Sequence, residues 1–191
     1  MSMQKRIILF NGPPRSGKDT AASFIYSANP FIHWFRMSQP LKDMVSAFFT
    51  LNSTDAKVIE QHKDNKLPLL FDNTFRELQI WFSEECAKPK FGRDVFGRLA
   101  RRRIENALSK LHICSDCGFI EEAIPLLDLV GPQNMLIVQV YRDGCDFTKD
   151  SRSYITLPGV KTIKLVNSGS IRDYEYNVKA AVNLWLEAQE S

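Results

Sequence analysis

The sequence predicts an α/β protein, a three-layer α/β/α sandwich with a mostly parallel sheet, and three observations carry that prediction. Short apolar runs recur at Ile7 to Phe10, Leu111 to Ser115, Leu136 to Tyr141 and Lys161 to Asn167. Between them lie segments with the apolar spacing of amphipathic helices, so that helices alternate with short strands. The first run passes into a Gly/Pro-rich turn and the turn into a helix, the connection from which such folds are built. Four or five strands are expected, and no repeat or low-complexity tract interrupts them.

Taken in order, the helix after the turn carries Ala21, Ala22, Phe24 and Ile25 and should end before Pro30, with a second strand from Phe31 to Met37. Ser38-Gln39-Pro40 then caps a helix whose Leu41, Met44, Val45, Phe48 and Phe49 form one apolar stripe. Residues 51–70 are mixed and polar, with a short helix expected from Asp55 to His62. Thr74-Phe75-Arg76-Glu77 is a capping box opening a helix that carries Leu78, Trp81 and Phe82, with Trp81 assigned to the core. A further helix from Asp94 to about Ser109 turns Val95, Phe96, Leu99, Ile104 and Leu108 inward. The strand ending at Asp116 is followed by a helix with Ile120, Ala123, Ile124 and Leu127, and Ser170 with Asp173 caps a last helix with Tyr174, Val178, Ala181, Val182 and Trp185 on one face.

The first turn is the strongest chemical signal. Gly12, Gly17 and Lys18 have the Walker A spacing, two glycines separated by four residues and followed by lysine. Glycine at these positions lets successive backbone N–H groups converge on one anion, and Lys18 reaches across it at the start of a helix whose dipole favours negative charge. Arg15 and Ser16 lie inside the same loop. Asp19 stands where Ser or Thr ordinarily ligates magnesium. Its carboxylate can meet the metal directly or through water, and Thr20 can supply a hydroxyl one position later; the sequence leaves both open. Asp116, at the C-terminal end of a strand, is the candidate for the second magnesium carboxylate.

At 191 residues, 44% hydrophobic and 25% charged, the chain reads as a single domain over 1–191. Within it, 51–110 reads as a helical substrate-binding insertion and the polar 142–158 segment as a lid or crossover, Asp146, Lys149, Asp150 and Arg152 among its residues. The formal charge of +3 suits an anionic small molecule or a nucleic acid and identifies neither. No apolar stretch approaches 20 residues and MSMQKR leads straight into the first strand, so neither a membrane span nor a signal peptide is expected and the location is expected to be cytoplasmic. Cys86, Cys114, Cys117 and Cys145 offer one C-x-x-C spacing without a second pair, so no zinc site is expected. His33, His62 and His112 lack a catalytic pattern, and His112 reads as structural.

The arginine distribution points toward phosphoryl transfer between two small anions, because guanidinium groups stay charged and match phosphate oxygens. Arg142 and Arg152 follow the strand 136–141, and Arg76, Arg93 and Arg98 occupy the middle of the chain. Gly92 and Gly97 beside Arg93 and Arg98 would permit close approach of a ligand, whereas Arg101, Arg102 and Arg103 read as the wet face of a helix. Ser38, Lys42, Arg76, Gln79, Arg93, Asp94 and Arg98 make up the expected substrate side. No N-K-x-D segment favours guanine, and the basic patch from Lys88 to Arg103 is short for a nucleic-acid face.

On GPPRSGKDT at Gly12 to Thr20, RELQ at Arg76 to Gln79, FGRDVF at Phe91 to Phe96, SDCGFIEEA at Ser115 to Ala123 and LVNSGSIRD at Leu165 to Asp173, the chain resembles the bacteriophage deoxynucleoside monophosphate kinases of the P-loop kinase superfamily. The resemblance implies a P-loop NTPase fold of the nucleoside monophosphate kinase kind. It also implies transfer of the ATP γ-phosphoryl to a deoxynucleoside 5′-monophosphate with Mg2+, and a homodimer in the cytoplasm of an infected host. Carried across, Lys18 and its loop hold ATP phosphates, Asp19 or Thr20 with Asp116 the magnesium shell, Arg93 and Arg98 the acceptor, and Arg142 and Arg152 act as lid or base-side clamps. The alternatives are another small-molecule P-loop kinase, of the dephospho-coenzyme A or shikimate type, a DNA-binding or end-processing P-loop protein, and a nucleotide pocket without turnover.

Overall fold

The computed structural model describes residues 4–29, 31–148 and 150–189; Pro30, Lys149 and the MSM of the first strand's leader lie outside them. The elements are β1 (Arg6–Asn11), α1 (Lys18–Ala28), β2 (His33–Phe35), α2 (Gln39–Phe48), α3 (Ser53–Gln61), β3 (Lys66–Leu67), β4 (Asn73–Thr74), α4 (Phe75–Trp81), α5 (Lys88–Phe91), α6 (Val95–Asn106), β5 (Leu111–Cys114), α7 (Ile120–Val130), β6 (Met135–Tyr141), β7 (Lys161–Val166) and α8 (Ile171–Glu187). A π-helical turn, Phe82–Ala87, joins α4 to α5. The chain divides into two units, Met1–Met37 with Gly97–Ser191, and Ser38–Phe96. The second unit begins and ends earlier than the 51–110 expected for the insertion.

In the first unit five strands form one parallel sheet in the order β2-β5-β1-β6-β7. The central β1 is buried on both faces, which is why it reads as an unbroken apolar run. Its side chains alternate: Ile7 and Leu9 enter one core with Ala100 and Ile104 of α6 and Ala123 and Leu126 of α7. Ile8 and Phe10 enter a second core with Ala21, Ala22 and Ile25 of α1 and Tyr174, Val178, Val182 and Trp185 of α8. Helices therefore cover both faces, and the α/β/α sandwich with a parallel sheet is the observed fold. Register places Asn11 beside Gln139 on one side and Leu9 beside Cys114 on the other, so the turn after β1 and the residues after β5 emerge at the same sheet edge. His112 is fully buried, its Nδ1 3.0 Å from Nδ1 of His33 in the neighbouring strand.

The second unit is helical with a two-stranded β3-β4 hairpin, and its core is small: Val45, Ile59, Leu70 and Phe75, with a satellite of Leu41, Ala87 and Phe96. Capping boxes fix its helix starts at Asn52/Asp55 and at Thr74/Glu77, and Ser170/Asp173 does the same for α8 in the first unit.

Several periodicity readings are corrected. β2 is confined to three residues. Met44 and Phe48 are exposed, because only the Leu41–Val45 edge of the α2 stripe is buried. Trp81 is exposed: α4 stops there, and the wider π turn that follows breaks the 3.6-residue spacing that had aligned it with the core. α6 ends at Asn106, and Leu99 and Leu108 are exposed. Ala100 and Ile104, four apart, set its inner face, and Leu108 lies beyond the last turn.

Candidate active site

The turn Gly12 to Lys18 leaves the centre of the sheet and is held from several sides. Gly12 is buried so closely that a Cβ would stand 2.5 Å from the Val140 carbonyl oxygen, so only glycine fits. Arg15 and Gly17 take left-handed conformations, φ 64° and 104°. Asn167, just after β7, donates its amide to the Ser16 carbonyl at 2.8 Å, and the Tyr174 hydroxyl of α8 donates to the Gly17 carbonyl at 3.2 Å. The loop thus rests on bonds from the distant end of the chain.

Lys18 opens α1, and its Nζ donates to the Gly12 and Pro13 carbonyls, both at 2.7 Å, folding the side chain back over the loop. Burial, and after it the Arg152 guanidinium, lower the Lys18 pKa from 10.5 to about 8, against the opposing pull of Asp19, Asp116 and Asp150. The Ser16 hydroxyl is fully buried in the same loop without a hydrogen-bond partner. A buried orphan hydroxyl, a compressed ammonium and a glycine cradle are groups that an anion would satisfy together. The residues present fit a phosphate.

The Asp19 side chain is 65% exposed, and its Oδ1 accepts from the Ser115 hydroxyl at 2.7 Å and from Arg36 at 3.1 Å. Burial acts to raise its pKa, but the Ser115 and Arg36 hydrogen bonds outweigh that and hold the carboxyl below its ordinary value. Ser115 accepts in turn from the Trp34 indole at 3.0 Å, and Arg36 lies over the Trp34 ring. Asp116 emerges beside the loop, as its place after β5 requires, with Oδ1 accepting from the Met37 backbone N–H at 2.7 Å. Thr20 lies half-buried in the first turn of α1, its carbonyl accepting from Ser23.

Asn11 was not read from the sequence as a site residue, yet it ties three segments together. Fully buried at the end of β1, it donates to the Cys117 and Ser153 carbonyls at 3.0 and 3.1 Å and accepts from the Ile155 N–H at 2.9 Å. Ile155 and Leu157, within the segment expected as a lid, are core residues. Earlier in that segment Arg142 donates to the Arg15 carbonyl at 3.3 Å. Arg152 pairs with Asp150 at 2.5 Å, its aliphatic stem lying against Gly118, where any Cβ would collide with it. The Asp150 bond raises the Arg152 pKa further, so it is a fixed cation.

The first unit therefore brings together Gly12, Arg15, Ser16, Gly17, Lys18, Asp19, Thr20, Asp116, Arg142 and Arg152 at or beside the turn. Arg98 lies on the exposed side of α6. Gly97, read from the sequence as room for a ligand, instead lets α6 press on the backbone of α7: a Cβ there would overlap the Glu122 carbonyl. Ser38, Lys42, Arg76, Gln79, Arg93 and Asp94 belong to the helical unit. There Lys42 pairs with Glu60 at 2.8 Å, Arg76 with Asp64 at 2.5 Å, and the Gln79 amide bonds the Phe75 carbonyl. The described residues hold no group of three or more metal-binding side chains of the His/Cys/Asp/Glu kind. No described helix is long and apolar enough to cross a membrane.

A parallel sheet in this order, with a glycine turn and helix-opening lysine after its central strand, matches a P-loop NTPase fold. No protein-family model matches the chain, and neither does any curated protein. Among solved structures it is similar to an unliganded sugar kinase from Janibacter sp., with a TM-score of 0.50 at 11% identity over 96% of this chain and 95% of that one. A thymidylate kinase from Candida albicans gives 0.45 at 13% identity, covering 96% and 93%, and a gluconokinase from Sinorhizobium meliloti 0.46 at 13%, covering 98% and 99%. At such identities the likeness is one of fold.

Proposed function

We propose that this chain is a small-molecule kinase that moves the γ-phosphoryl of ATP to a phosphorylated acceptor, with a deoxynucleoside 5′-monophosphate as that acceptor. The observation that carries the reading is the turn after β1, where Lys18, the orphan Ser16 hydroxyl and the glycine cradle converge. On binding, the Lys18 ammonium exchanges its two carbonyl partners for phosphate oxygens, and the orphan N–H groups at the start of α1 turn toward the same anion. Arg152, fixed by Asp150, stabilises charge spreading over the transferred group, and Arg142 supports it from the adjoining loop.

Asp19, Thr20 and Asp116 are the oxygen donors at this sheet edge that would hold magnesium, which would supply positive charge to offset that of the phosphates. An acceptor phosphate is largely ionised near neutral pH, so positioning and charge suffice without a dedicated base. The deoxynucleotide assignment is supported by the resemblance at RELQ, FGRDVF and SDCGFIEEA. It gives Arg93 and Arg98 the acceptor side, and Ser38, Lys42, Arg76, Gln79 and Asp94 are proposed with them as substrate-binding residues.

The test is an ADP-release assay with magnesium and ATP against all deoxy- and ribonucleoside monophosphates, dephospho-coenzyme A, shikimate and sugars. Turnover is expected with one or more deoxynucleoside monophosphates. Turnover confined to another acceptor would keep the kinase and discard the deoxynucleotide, and none with any acceptor would discard the kinase.

A further inference from the structure

The usual P-loop arrangement sets a Ser or Thr hydroxyl on the loop after the lysine and a carboxylate at the end of the neighbouring strand, and magnesium takes both. Beside Thr20 and Asp116, which follow that arrangement, this chain carries a further pair with the group types exchanged. The carboxylate, Asp19, is on the loop side at the start of α1, and a hydroxyl, Ser115, stands directly after β5, the strand paired with β1. The two are bonded at 2.7 Å, and Ser115 is 1% exposed while the Asp19 side chain is 65% exposed.

We propose that Ser115 is a positioning residue for the metal of the kinase proposed above, holding the Asp19 carboxylate in the orientation in which it meets magnesium. The proposal rests on that functional reading. Three features make the hydroxyl directional. It receives the Trp34 indole N–H at 3.0 Å, so its own proton is left for Asp19. Its burial keeps water off the hydroxyl itself. Arg36, stacked over the same Trp34 ring, bonds the same Oδ1, so both donors act on one oxygen and fix the plane of the carboxylate. The adjacent Asp116 meanwhile accepts from the Met37 backbone N–H, which fastens the segment after β2 to the end of β5.

The test is Mn2+ binding followed by electron paramagnetic resonance in the presence of saturating ADP, with nucleotide affinity measured separately in chelator. Ser115→Ala is expected to weaken Mn2+ on the order of tenfold, the scale of losing a second partner of a metal ligand, while leaving metal-free nucleotide affinity within about twofold by the same reasoning. Ser115→Thr keeps the hydroxyl and should restore most of the metal affinity. Should Ser115→Ala not fold, Ser115→Cys, close in volume and a weak donor, replaces it. Unchanged Mn2+ affinity in Ser115→Ala, or in Ser115→Cys where that replaces it, would overturn the proposal. If wild type binds no nucleotide in either condition, the kinase reading fails and this one with it. If it binds nucleotide but Mn2+ is indifferent to Ser115, only this one fails.

Discussion

The two units are built to different standards of order. In the sheet unit, Ile7 to Phe10 of β1 and Met135 to Val138 of β6 are wholly buried between two helical layers, the turn after β1 is fastened by Asn167 and Tyr174 from far along the sequence, and Asn11 before it is tied to Cys117, Ser153 and Ile155. In the helical unit, four residues make the main core, and Phe48, Phe71 and Trp81 are left 68%, 80% and 52% exposed. On the proposed function the difference separates tasks: groups proposed to meet developing charge sit where neighbours over-determine them, and the unit proposed to meet the acceptor is the one with less to lose on rearranging.

The largest effect expected from breaking the ordered side of this contrast is on catalysis. Lys18→Ala should reduce turnover by about 10²- to 10³-fold, the scale of removing one preorganised charge donor, with little change in melting temperature, since the residue lies outside both cores. Near-wild-type phosphotransfer by the folded variant would remove the turn from the mechanism.

Stability comes next. Asn11→Ala strands the buried Ile155 N–H and two carbonyls, and should cost about 2–3 kcal/mol in chemical denaturation. Asn52→Ala removes only an exposed helix cap in the helical unit and should cost about 1 kcal/mol. Equal losses would mean the two units are not organised differently.

The smallest effect is on pH dependence. Free Lys18 has its pKa lowered to about 8, and a bound phosphate restores the charged form. Below that value the ammonium is charged before and after binding and contributes no slope. Above it, binding must take up a proton, so nucleotide affinity should fall by about tenfold per pH unit. Affinity flat through pH 9, read by titration with proton uptake measured in buffers of different ionisation enthalpy, would contradict a neutralised Lys18 that regains its proton on binding.

What the sequence disclosed follows the range of its physics. The capping boxes at Thr74 and Ser170 and the buried central strand depend on neighbours within a few residues, and each is in place. Ser115 was passed over beside the more eloquent Asp116, because its partner Asp19 is 96 residues away and only the pairing of β1 with β5 joins them. Asn11 carried one signal, a polar residue closing an otherwise apolar strand. Gly97 was legible as a close approach but not as the approach of α7 rather than of a ligand. Trp81 and Leu99 defeated periodicity because a π turn and a narrow alanine face shift what a 3.6-residue count assumes.

The most direct measurement is a calorimetric titration of wild-type protein and Lys18→Ala with ATP in magnesium. One site per chain that the substitution weakens at least tenfold is the result expected if this turn wraps the triphosphate. No heat of binding to wild type, or equal affinity in the two proteins, would contradict it.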